Sequence, residues 1–532
     1  METQEFDVIG GMWLCKEYEL RLVSHLAVSS RIGTRRQTLV TDNGSIETYQ
    51  EVMRPDDTLR GHLVFHLKHE SLNLEMLSRL FDRVPGSIFG IWIAREPTSQ
   101  YARRAGFLYE WLTRQTITLD DVKVSGNYVD ALNVTDMVVA QTSVANNRWR
   151  VRDNLPGTSQ FCPTIRFTDL SRAAMEVDCK AMLDDLQVEF GQEMLLKSAV
   201  WLTLRESRSS FQIEGEVDKK DRIERFASVL HNYTGQGEPP LDQDSLAMLQ
   251  RSILGDATSI RTPGIRKSPV IVGQTVRYQE VTHYVAPPAE DVPDMLDGIV
   301  QFLRKTDGLS SVMRAAVTAF GFVYVHPLAD GNGRVHRFLV NDVLRRDGAV
   351  PAPFIIPVSG LITRDARERQ AYDKVLDTFS KSFMQAYAGA GKFEGPAVEY
   401  ADGIFSNFVF DANEQARHAW RFMDFTLHVH YLGHVLKRTI QLEMREEALF
   451  LRNHMQARSA VKEIVEMPDQ QVDRVIRSIE QNKGALSGVL AKEIPFLTSP
   501  GVWLQLCEAV ANAFQDSQAV EVEEVSSRQP KP

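Results

Sequence analysis

The chain has 532 residues, with 60 Lys plus Arg against 70 Asp plus Glu and a formal charge of −10. That length predicts two or three domains, and the acidic balance argues against a general affinity for nucleic acid or an anionic membrane. No apolar run reaches the roughly twenty residues of a membrane span, Met1 to Gly11 is acidic rather than signal-like, and Cys15, Cys162, Cys179 and Cys507 stand apart without a CxxC, so a soluble, cytoplasmic protein with reduced cysteines is expected.

Residues 1–115 read as mainly helical, with apolar periodicity over Leu72 to Leu80 and an aromatic helix around Tyr101, Phe107, Leu108, Tyr109, Trp111 and Leu112. Residues 116–171 hold turn formers at Asn146-Asn147, Asp153-Asn154-Leu155-Pro156-Gly157 and Cys162-Pro163, which predict an irregular connector whose arginines, Arg152 and Arg166 among them, are solvated charges. A central domain is expected over 172–390. Within it Leu195 to Arg208 has helix-forming content and Gly215 is a helix stop. Val270-Ile271-Val272-Gly273, followed by Gln274 to His283 and Pro287-Pro288, reads as a small β-hairpin. Met313, Ala316, Val317, Phe320 and Tyr324 recur at helical spacing, and Pro327 disfavours helical dihedrals at His326, so this helix should end there. Val335, Leu339 and Val343 mark the next amphipathic helix, closed by Gly348. Residues 391–515 are expected to be helical, with a winged-helix-like module after Met467-Pro468-Asp469, and the polar tail 516–532 to be disordered.

The most informative segment joins those two core helices: His326-Pro327-Leu328-Ala329-Asp330-Gly331-Asn332-Gly333-Arg334-Val335-His336-Arg337. Gly331 and Gly333 permit a tight loop that opens a helix, so backbone N–H groups and the helix dipole converge on an anion, most naturally a phosphate. His326, with an ordinary pKa of about 6.5, is the candidate general base. Asp330 offers a hard carboxylate for magnesium. Arg334 and Arg337, three apart, can each fork onto phosphate oxygens. His428, His430 and His434 form an HxHxxxH run with no completing carboxylate, which favours packed histidines over a metal site.

This loop resembles the signature of the Fic family, HPFxxGNGRxxR with an acidic residue before GNG, departing only in Leu328 for Phe. The resemblance implies a mostly α-helical core that binds ATP with Mg2+ and transfers AMP to a Ser, Thr or Tyr hydroxyl of a target protein, with self-modification and a homodimer as further possibilities. By residue it implies His326 as base, Asp330 on the metal, Asn332 with the amides of Gly331, Gly333, Val335 and His336 around the α-phosphate, and Arg334 and Arg337 on the outer phosphates. The hairpin beginning Val270-Ile271-Val272-Gly273 is similar to the family's flap over the active site, where target backbone pairs with its edge. Tyr372 matches the position of a ring against adenine. Ser380 stands where some relatives carry an amide. Ser209 to Gly215 resembles the family's inhibitory motif [S/T]xxxE[G/N], with Ser210, Glu214 and Gly215 in register; this implies that Glu214 pairs with Arg337 and misorients ATP. Two alternatives remain: a related enzyme moving another phosphate-linked group or removing AMP, and a nucleotide-sensing regulatory protein.

Overall fold

The computed structural model describes residues 7–514 apart from 42–43, 120–121, 217–219, 256–257, 277–278 and 500, and for 274–281 the backbone alone. The expected tail at 516–532 lies outside the described residues. Helices make up most of the chain, and none of those described is long and apolar enough to cross a membrane.

The first 58 residues correct the expectation of a mainly helical N-terminal region. Val28–Ile32 pairs antiparallel with Val8–Ile9 and parallel with Gly44–Tyr49, which pairs antiparallel with Gln37–Thr41. These segments are rich in Val, Ile and Thr, whose branched side chains suit a pleated surface. Helices then follow as the periodicity predicts, including Leu74–Arg83, capped by the Asn73 side chain accepting the Met76 N–H at 2.8 Å, and Gln100–Thr113. Residues 116–171 are not a loose connector. Val129–Asp130, Val151–Asp153 and Val144–Asn146 form a small sheet, and Trp149, Leu155, Phe161 and Ile165 are fully buried. Arg152 pairs with Asp130 and stays 42% exposed, as a solvated charge, while the less exposed Arg166 pairs with Asp424.

The core carries the elements that position the loop. Helix α1 (Gln192–Ile213) buries Leu195, Ala199, Leu202 and Phe211. Strands β1 (Ile271–Val276) and β2 (Gln279–Val285) form the expected antiparallel hairpin, with a bulge between Val272 and Gly273. Helices α2 (Ser311–Val325) and α3 (Asn332–Arg346) pack against each other through Val317, Phe320, Val335, Leu339 and Val343, none more than 1% exposed. Helix α4 (Ala366–Ala386) supplies Tyr372, Val375, Phe379 and Phe383 to the same core.

Residues 391–410 again correct a helical expectation, forming a second hairpin of β3 (Gly391–Glu399) and β4 (Phe405–Phe410). The β4 run alternates, with Phe408 and Phe410 buried while Phe405 and Val409 are exposed, which is the period of a strand. Beyond it, Arg445–Ile464, Asp469–Gln481, Gly488–Glu493 and Val502–Ala513 close around their own apolar core of Val472, Val475, Ile476, Leu497, Leu506 and Val510. No strand follows Phe410 among the described residues, so the winged-helix expectation is corrected: helices are present, the β-wing is not. His428 is buried against Tyr324, with Nε2 2.8 Å from the phenol oxygen, and no cluster of His, Cys, Asp or Glu among the described residues could hold a metal.

Candidate active site

Helix α2 stops at Val325 because Pro327 excludes the right-handed helical conformation at the preceding residue, and His326 takes the left-handed one instead, at φ 51°. A non-glycine residue held there is unusual, and only four others among the described residues share it. The His326 Nδ1 lies 3.0 Å from the Val323 carbonyl oxygen. A carbonyl only accepts, so Nδ1 carries the proton and Nε2 is left as the acceptor. Burial, only partly opposed by the Val323 carbonyl, pushes the His326 pKa down to about 4, so the ring is neutral at physiological pH.

Three anchors shape the loop that follows. Asn332 brackets Leu328, its Oδ1 accepting the Leu328 N–H at 2.9 Å and its Nδ2 donating to the Leu328 carbonyl at 2.7 Å. Its amide therefore fixes the loop's curvature rather than pointing to a ligand. Leu328 is fully buried among apolar side chains of the core. Gln250 donates to the Asp330 carbonyl at 2.8 Å, and Gly331, at φ 92°, turns the chain into α3. The Asp330 carboxylate is more than half exposed and has only a distant neighbour in Arg334, at 3.5 Å. It is free to take a cation whose other ligands come from water and phosphate.

Arg334 and Arg337, in the first turns of α3, are almost completely buried, which a positive charge tolerates only with anions or oriented dipoles around it. Arg337 donates through Nε to Ser210 Oγ at 2.7 Å and through Nη2 to Glu214 Oε1 at 2.5 Å and the Ser210 carbonyl at 3.2 Å. Arg334 lies over the Phe211 ring, with Nε 2.9 Å from Glu214 Oε2. That contact has ion-pair distance without hydrogen-bond alignment, so Arg334 Nε and Nη1 remain buried donors lacking a hydrogen-bonded acceptor. One carboxylate thus spans both guanidiniums at the N-terminus of α3. A Cβ on Gly333 would lie 2.4 Å from Glu214 Oε1, so only glycine lets the carboxylate approach this closely.

Glu214 is delivered by α1, which ends there with Gly215 at φ 73° and the Glu216 N–H returning to the Phe211 carbonyl. Buried Glu206, two turns earlier, holds the helix in register by accepting the Ser359 N–H and hydroxyl, both at 2.7 Å. Burial pushes its carboxyl up to about 7 against the pull of those hydrogen bonds. The pairing of Arg334 with Glu214 and the anchoring role of Glu206 were not legible in the sequence, because both depend on where α1 lies against α3.

Other predicted residues fall elsewhere. Val335 and His336 face the α2–α3 core, His336 bonded through Nδ1 to the Ala319 carbonyl at 2.7 Å, so only their main chain borders the loop. Tyr372 is 5% exposed, near His336 and Tyr431, and leaves almost no ring surface for adenine. Ser380 bonds back to the Leu376 carbonyl within its own helix. Val270 and Ile271 pack partly against the core while Val272 is exposed at 39%. The hairpin is rooted by the Tyr284 hydroxyl on the Tyr324 carbonyl, at 2.7 Å.

The site is thus a helix pair joined by a loop that carries a neutral histidine, an open carboxylate and buried guanidiniums. Residues 240–344 match the Fic/DOC family model, and the chain carries a Fic domain there. It is 29% identical over 157 residues to protein adenylyltransferase fic-1 of Caenorhabditis elegans, covering 28% of this chain and 29% of the worm protein. It is 30% identical over 110 residues to protein adenylyltransferase Fic of Nematostella vectensis, covering 20% of this chain and 24% of the relative. The matched region thus spans under a third of these curated relatives. Among solved structures, a Fic-domain signalling protein of Bacteroides thetaiotaomicron is 18% identical, with 51% of this chain and 97% of that one covered and a TM-score of 0.34.

Proposed function

We propose that the chain is a protein adenylyltransferase that transfers AMP from ATP to a hydroxyl side chain of a protein and that restrains itself through Glu214. The observation that carries this reading is the set of buried arginine donors at the N-terminus of α3 beside a neutral histidine with Nε2 unprotonated. Such a set binds a polyphosphate and accepts a hydroxyl proton. In the transfer, the target oxygen attacks the α-phosphorus, Nε2 of His326 takes its proton, and the bond to the β-phosphate breaks to release pyrophosphate. The N–H groups of the first turn of α3 face the charge that develops on the α-phosphate. Arg334, whose Nε and Nη1 have no aligned hydrogen-bond acceptor, fits the outer phosphates together with Arg337. Asp330 fits a magnesium ion, which when bound neutralises phosphate charge.

Glu214 holds both guanidiniums that this pose requires. ATP entering with Glu214 in place has to leave its outer phosphates elsewhere, so its α-phosphate is not aligned with the attacking oxygen. The hairpin β1–β2 fits a flap that aligns target backbone by strand pairing. The test is incubation with ATP labelled at the α- or, separately, the γ-phosphate, followed by mass spectrometry of the modified protein. Label from the α-position with a mass increase of AMP supports the reading; label from the γ-position overturns it in favour of phosphate transfer.

A further inference from the structure

Arg266, just upstream of the flap, is fully buried, and its side chain donates to main-chain carbonyls. Nε donates to His326 O at 2.7 Å, Nη1 to Ser268 O at 2.9 Å, and Nη2 to Pro287 O at 2.6 Å. Its own N–H donates to Pro327 O at 2.8 Å. These acceptors come from three places: the residue that carries the imidazole, the segment entering β1 and the segment leaving β2. The last carbonyls of α2 have no partner within their own helix, and a cation at a helix C-terminus is favoured by the dipole, so the guanidinium also caps α2. Burial lowers the Arg266 pKa to about 10, which still leaves it charged at neutral pH. A lysine could satisfy one of these directions but not a planar fork to three.

A second contact reaches the same root from outside the matched family region. Asp402, 1% exposed on the turn between β3 and β4, accepts the Lys267 N–H at 2.7 Å and the Ser268 N–H and hydroxyl at 2.9 and 2.8 Å through one carboxylate oxygen. The Arg261 N–H in turn donates to the Asp402 carbonyl at 2.9 Å. The unexpected second hairpin therefore clamps the chain on which the flap is mounted.

We infer that Arg266 is a positioning residue that fixes the flap relative to His326, and that the β3–β4 hairpin, through Asp402, holds the flap root for it. This rests on the transfer reading above. A hydroxyl paired on the flap edge meets Nε2 at the right distance only if flap and imidazole share a rigid mount, and a misplacement of about 1 Å costs on the order of 10²-fold in rate. Water attacking ATP needs the imidazole but not the flap.

The test uses the full chain in the Glu214→Gly background with ATP labelled at the α-phosphate, reading label in the protein itself and label released as free AMP. Arg266→Lys should lower kcat for self-incorporation on the order of 10²-fold with KM for ATP unchanged. Asp402→Asn should lower self-incorporation while AMP release stays at the parent rate, a split that general loss of structure does not produce. Self-incorporation by Arg266→Lys at the parent rate overturns the inference and leaves the transfer reading standing, as does a parallel fall of both outputs in Asp402→Asn. A parent that incorporates no label overturns the transfer reading and the inference with it. Should Arg266→Lys fail to fold, the Asp402→Asn split alone decides.

Discussion

Replacing Glu214 by glycine removes a carboxylate that spans two guanidiniums, each side chain only 2% exposed, while the carboxylate itself is 23% exposed. A hydrogen bond to a charged group is worth about 1.5–3 kcal/mol, and Glu214 makes one aligned bond, to Arg337, plus one ion pair, to Arg334. The restraint is then about 3 kcal/mol, or on the order of 10²-fold in the population able to bind ATP productively. Glu214→Gly should raise self-incorporation of label from α-labelled ATP by that order. It should also lower the melting temperature, because two buried guanidiniums lose their anion, and ATP with magnesium should recover that loss more strongly than in the parent. Combining it with Arg337→Ala should abolish the gain. An ordinary catalytic glutamate gives the opposite sign, so unchanged or lower transfer by Glu214→Gly, with native circular dichroism, refutes the reasoning.

Ser210→Ala deletes the acceptor for Arg337 Nε but spares Glu214, so self-incorporation should rise to a level between parent and Glu214→Gly; an activation equal to that of Glu214→Gly would show that the serine, not the carboxylate, carries the restraint. His326→Ala should leave ATP affinity by calorimetry intact and lower transfer by about 10²-fold or more, and normal transfer would remove His326 from the mechanism. With the His326 pKa lowered to about 4, the base form persists as pH falls from 8 to 5.5, so transfer at saturating ATP should stay nearly flat over that range. An ordinary imidazole would lose about tenfold by pH 5.5, and such a loss, restored with a midpoint near 6.5, would contradict the burial argument. Asp330→Ala should raise the magnesium concentration needed for half-maximal transfer; an unchanged magnesium curve places the cation elsewhere.

The site loop was legible because its chemistry is local. Pro327 determines where α2 ends, Gly331 permits the left-handed turn into α3, and the spacing of Arg334 and Arg337 places both on one face of the first turns. The β1–β2 hairpin was equally legible from its branched residues. Where the sequence reading missed, local propensity was outweighed or its period went unread. The strands at residues 28–49 were absorbed into a helical region, and the alternation Phe405–Phe410 sat beside helical stretches whose composition dominated the reading. Tyr372 shows a different limit: matching position in a motif does not say which way a side chain turns, and packing beside His336 and Tyr431 leaves its ring almost fully covered.

By itself the sequence determined the helical class, the loop with its histidine, carboxylate and arginines, and the motif that ends α1 at Glu214, because each depends on residues within a few turns of one another. Only the tertiary structure decided that one carboxylate spans both arginines, that Asn332 is committed to the loop's own backbone, and that Arg266 and Asp402 tie the flap root to the histidine. The contacts Arg266–His326, Asp402–Lys267 and Glu214–Arg337 join residues from 60 to 135 positions apart, and no pattern of local spacing encodes which distant carbonyl or guanidinium the packing of helices will bring within 3 Å.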